Sequence, residues 1–94
     1  MRITDVKISL QNEKKLRAFA NIIIEDRFMV RGLKVIQGLD RIFIAMPSRI
    51  RSDGASIDIA HPITQAFRRE MEEVVLEKYR EELERNRVEA KDPL

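Results

Sequence analysis

The hydrophobic pattern of this chain changes period once, at Pro62, and that switch limits the possible folds more than any other feature. Before it, apolar residues recur at every second position, as on one face of a pleated strand. After it, they recur at every third and fourth position, as along one side of a helix. A chain of 94 residues holds one domain. Strands first and a helix last therefore predict an α+β fold: an antiparallel sheet of four to five strands followed by one long C-terminal helix.

Val6, Ile8 and Leu10 alternate with Lys7 and Ser9 in a first strand, and Ile3 is out of phase with them, which predicts a bend or ragged start. After the polar segment Gln11–Lys15, Leu16, Ala18, Ala20, Ile22 and Ile24 share one face of a second strand. Phe19 and Ile23 lie on its other face, so part of this strand is expected to be covered on both sides. Glu25-Asp26-Arg27 is short enough for a hairpin connection. The third strand changes phase at Gly32, from Phe28 and Val30 to Leu33 and Val35, the signature of a β-bulge. A turn at Gln37–Asp40 leads to a fourth strand, Ile42–Met46, which Pro47 ends for want of an amide hydrogen. Residues from Pro47 to Ser56 have no periodicity, contain Asp53-Gly54, and read as a loop; Ser56–Ala60 reads as a short fifth strand.

Pro62 suits a first helical position. Ile63, Phe67, Met71, Val74, Val75, Tyr79 and Leu83 then follow helical spacing, in a stripe that drifts around the cylinder. The curve of the sheet or a partner subunit would accommodate that drift. Lys78–Glu82 and Glu81–Arg85 are spaced as surface ion pairs. Residues 1–85 make the domain, and 86–94 make a charged tail, expected to fray, in which Pro93 forbids further helix.

The composition argues against catalysis. With no cysteine there are no disulfides, thiolate metal sites or thiol chemistry, and a reducing, cytoplasmic location is expected. One histidine, His61, cannot build a His-based metal cluster and is read as capping or packing at the helix start. Three glycines, at 32, 38 and 54, make no phosphate-cradling loop. No apolar run reaches the roughly 18–20 residues of a membrane span, and no signal-peptide pattern opens the chain. The expectation is a non-enzymatic protein without metal, cofactor, membrane or small-molecule substrate.

Charge points elsewhere. Residues 1–62 carry eleven Lys and Arg against seven Asp and Glu, whereas residues 63–94 carry seven against nine. A polyanion would therefore be drawn to the first two thirds. Arg49 and Arg51 flank Ile50 after Pro47-Ser48, and Arg68 and Arg69 stand in the first two turns of the helix. Guanidinium forks match phosphate oxygens and guanine edges, so these four arginines are the candidate nucleic-acid contacts. The plainer alternative pairs Arg69 with Glu73 and leaves the loop arginines as solvated charge. The aromatics Phe19, Phe28, Phe43, Phe67 and Tyr79 mostly fall on apolar faces, which disfavours a base-stacking platform.

Phe43-Ile44-Ala45-Met46-Pro47-Ser48, followed by Gly54, Asp58-Ile59 and His61-Pro62-Ile63, resembles the signature of the SpoVG family, the stage V sporulation protein G or septation proteins. Thr4-Asp5-Val6, Arg17-Ala18, Phe28 with Val30, Val35-Ile36 with Gly38, and Arg68 match as well, so the resemblance covers residues 1 to about 83. Arg41-Ile42-Phe43 departs from the family's usual Gly-Leu-Phe, and Ile50 separates two basic positions that are often adjacent. The resemblance implies a small α+β homodimer that binds DNA, and in some members RNA, to regulate gene expression, with effects on septation. By matching position it places loop cations at Arg49 and Arg51 and a helix cation at Arg68. A dimer would double the phosphate contacts and give the drifting stripe and any open sheet edge a surface to cover. The competing expectation is a protein-interaction or structural assembly module, which the acidic second part favours.

Overall fold

The structure, a computed structural model, describes residues 1–91, and their side chains as far as residue 87. Strands β1 (Ile3–Leu10), β2 (Leu16–Ile24), β3 (Phe28–Gln37) and β4 (Ile42–Ala45) form one antiparallel sheet in the order β1-β2-β3-β4. Strands β5 (Ser48–Ile50) and β6 (Ser56–Asp58) form a separate two-stranded ribbon, and α1 (Gln65–Lys91) follows. The α+β architecture expected from the sequence is present.

Three irregularities shape the sheet. On β1, Thr4 is an extra residue between the pairs Ile3↔Ile24 and Asp5↔Ile23, which accounts for the phase of Ile3. On β3, Arg31 and Gly32 together oppose Asn21 alone. Gly32 takes φ +85°, and its N–H donates to the Asn21 Oδ1 at 3.1 Å, so the bulge has both its left-handed residue and its hydrogen bond. On β2, Arg17 is extra between Leu16↔Ile36 and Ala18↔Val35. Its Nε donates to the Tyr79 hydroxyl at 3.3 Å, tying this bulge to the helix. The three-residue β2–β3 connection opens on a turn in which Glu25 (φ 51°) and Asp26 (φ 57°) both take left-handed conformations and Arg27 N–H donates to Ile24 O at 3.0 Å.

One face of the sheet makes the core. Val6, Ala18, Ala20, Ile22, Ile24, Leu33, Val35 and Ile44 lie against Met71, Val75 and Tyr79, with Met46 closing the β4 end. Ala18 and Ala20, 0% and 1% exposed, leave the middle of the sheet shallow beneath the larger helical side chains. Met71 and Val75 are fully buried and Tyr79 is 2% exposed, so the sheet of the same chain covers the middle of the drifting stripe. The opposite face is less covered than expected: Phe19, 36% exposed, has Lys34 as its cross-strand neighbour.

Four further expectations are corrected. Pro47–Ser56 is not loop throughout: Ser48–Ile50 pairs with Ser56–Asp58, in strands too short and too exposed to show alternation. The helix begins at Gln65 rather than Pro62, because Thr64 caps it. The Phe67 N–H donates to Thr64 Oγ1 at 3.2 Å and the Arg68 N–H to Thr64 O at 3.1 Å. Ile63 consequently leaves the stripe and is 90% exposed. The helix is drawn as far as Lys91, and Pro93 lies outside the described residues. Lys78 and Glu82 do pair, at 4.0 Å, but Arg85 reaches Glu82 at 3.2 Å rather than Glu81.

Candidate nucleic-acid interface

The ribbon places the first arginine pair. Pro47 ends β4 and turns the chain away from the sheet, and the Ile59 N–H closes the ribbon's base by donating to Pro47 O at 2.7 Å. Arg49 stands opposite Ile57, between the pairs Ser48↔Asp58 and Ile50↔Ser56. At the far end, Arg51 N–H donates to Ala55 O at 2.8 Å and Gly54 N–H to Arg51 O at 2.9 Å. Gly54 takes φ +91°, a conformation few other residues adopt without strain. The ribbon pairs with itself and packs on neither helix nor sheet over any broad surface among the described residues. Arg49, Ile50 and Arg51 are all exposed, Ile50 to 75%.

The two arginines differ in their surroundings. Arg51 Nη2 lies 3.3 Å from Asp53 Oδ2, and both side chains are about half exposed. Arg49 has no ion pair among the described residues. Residues 48–58 carry two arginines and two aspartates, so the ribbon has no net charge and any grip on a polyanion must come from the placement of the forks.

The second pair is on α1. Arg68, half-buried, has its N–H in the Thr64 cap, and Arg69 is exposed. Arg69 lines a shallow groove with Arg41, Ile42, Glu72, Glu73, Leu76, Glu77 and Arg80. Neither arginine forms an ion pair among the described residues, Arg69 with Glu73 included. The ribbon and helix arginines are thus presented by separate elements rather than gathered into one cluster. Sequence reasoning missed Arg41 and Arg80 as neighbours of Arg69. An eleven-residue separation puts Arg80 on the Arg69 side of a helix three turns on, and that spacing is the signal available for it.

A second concave feature lies at the end of the core. A cleft of about 400 Å³ opens between β2, β3 and the start of α1, walled by Ile22, Ile24, Val30, Met46, Phe67 and Met71 and rimmed by Met1, His61 and Ile63. His61 is exposed, with Nδ1 3.1 Å from Pro62 O. Among the described residues no group of three or more His, Cys, Asp or Glu is placed to hold a metal ion, and no helix is long and apolar enough to cross a membrane.

Known proteins share this chain nearly end to end. The SpoVG family model matches residues 1–81, taking in the four-stranded sheet, the ribbon and the first four turns of the helix. A protein of Bdellovibrio bacteriovorus named "Putative septation protein SpoVG" is 46% identical over 83 residues, 88% of this chain and 77% of that one. Proteins of the same name from Agathobacter rectalis and Lachnospira eligens are 47% and 49% identical, over 89% and 84% of this chain and 98% and 91% of theirs. Sheet, arginine ribbon and the capped start of the helix all fall inside the matched span, and the chain belongs to the SpoVG family.

Proposed function

We propose that this protein is a dimeric nucleic-acid-binding regulator of the SpoVG type, affecting gene expression and septation, and that it holds DNA or RNA phosphates through Arg49 and Arg51, with Arg68 and Arg69 adding contacts from the helix. The observation that carries the reading is Arg49: an exposed guanidinium with no ion pair among the described residues, on a ribbon with little packing role of its own. A cation so placed reaches a groove or backbone without disturbing the core. Dimerisation is supported by apolar surface that one chain leaves open, with Phe28 64%, Ile59 65% and Ile63 90% exposed, and by the unpaired outer edges of β1 and β4.

Equilibrium titration against labelled duplex DNA and RNA, at about 50 and 200 mM salt, tests the reading. Binding should weaken steeply between the two, and Arg49→Glu with Arg51→Glu should abolish it while leaving the fold intact. Undetectable binding by the folded protein at the lower salt would overturn the reading. The apolar cleft favours a second reading, an assembly module whose partner is a protein; its complex would be largely indifferent to salt.

A further inference from the structure

Asp53 is held in place by the backbone of the ribbon's turn. Its Oδ1 accepts the Ala55 N–H at 3.0 Å, while Oδ2 faces Arg51 Nη2 at 3.3 Å. Gly54 N–H to Arg51 O, at 2.9 Å, and Arg51 N–H to Ala55 O, at 2.8 Å, close the same turn, so the carboxylate is aimed by the main chain. Its Oδ2 meets one arm of the guanidinium, so it stands at one corner of the fork that a phosphodiester, with two oxygens to offer, would use.

We infer that Asp53 is an internal competitor for phosphate: Arg51 grips a nucleic-acid phosphate with both arms of its fork only when Asp53 gives up Nη2. Asp53 therefore sets the strength of the ribbon's grip. This rests on the nucleic-acid reading above and adds its regulation. The two arginines then have unequal parts. Arg49, with no ion pair among the described residues, engages at once, whereas Arg51 engages conditionally. The exchange costs little, because an ion pair half open to water is weak. Asp53 accordingly tunes affinity rather than blocking binding, and it also repels the approaching strand directly.

Asp53→Asn separates these effects, since the amide keeps an acceptor for the Ala55 N–H and removes the charge. Asp53→Ser, with a shorter acceptor, serves as a second variant if the first disturbs the turn. The probes are one labelled duplex DNA and one labelled RNA, at about 50 and 200 mM salt. On the probe that wild type binds, Asp53→Asn should tighten binding roughly three- to tenfold at the lower salt and steepen the log–log salt dependence by up to about 0.9, one further phosphate contact. In an Arg51→Gln background the same change should gain clearly less, because only direct repulsion is left to relieve. Equal gains in both backgrounds, or no gain where wild type binds, would overturn the inference and leave the nucleic-acid reading standing. Failure of wild type and both Asp53 variants to bind either probe at the lower salt would overturn the two together.

Discussion

Arg49 and Arg51 are two positions apart and chemically identical, yet the structure gives them different neighbours, and the proposed function then predicts unequal parts for them. Arg49 faces water opposite Ile57, while Arg51 faces Asp53. Arg49→Gln should therefore weaken duplex binding more than Arg51→Gln, by several-fold, with the salt slope falling by about 0.9 for the lost contact. Parallel titrations of the two variants check this, and equal losses would contradict it. Gly32 poses a backbone question instead. An added Cβ would meet only Pro47 Cβ at an ordinary 3.8 Å, but φ +85° strains any residue with a Cβ. Gly32→Ala should cost about 1–2 kcal/mol in urea unfolding, with no change in the pocket or ribbon. The phase change across Gly32 was legible because it moves the apolar set from one face to the other. The Arg51–Asp53 pair was not, because an i, i+2 contact depends on a turn that the residues around it do not announce by periodicity.

Among the elements, those with a buried face are legible in the sequence, whereas of the exposed ribbon only the second strand, at Ser56–Asp58, is. β1 to β4 alternate because one side of each meets α1, and the bulges at Thr4 and Gly32 left their mark on that alternation. The ribbon has no buried face, so Ser48–Ile50 looked like loop. The helix start was misplaced for a related reason. Pro62 and Ile63 fit a helical pattern, but Thr64 supplies the side-chain acceptor that fixes the first turn at Gln65. Thr64→Ala should lower stability by about 1 kcal/mol, seen as a shift in the urea midpoint with an unchanged slope. The β2–β3 turn offers the opposite change. Asp26 holds φ 57° without being glycine, so Asp26→Gly should stabilise the protein by roughly 0.5–1 kcal/mol. A loss of stability on this substitution would mean that the Asp26 side chain contributes more than its backbone strain costs.

At the scale of the whole molecule, the proposed function makes the sheet and helix a scaffold and the ribbon its working part. Packing on the sheet accounts for the middle of the helical stripe without a partner, so the motive for a dimer shifts to Phe28, Ile59, Ile63 and the sheet edges at β1 and β4, unpaired among the described residues. Light scattering at micromolar concentration should give a mass near twice 11.0 kDa, and a monomer mass would contradict the dimer. The second arginine pair, on a different element from the first, suits a backbone that runs past both rather than one pocket that closes on a single phosphate. The central claim is that the ribbon is where nucleic acid is held, and backbone amide NMR of the labelled protein, with a short duplex added stepwise at low salt, tests it most directly. The account predicts shifts concentrated in residues 48–58, with smaller ones at Arg68 and Arg69. Shifts confined to the Phe19 face of the sheet or to the apolar cleft, with the ribbon silent, would contradict it.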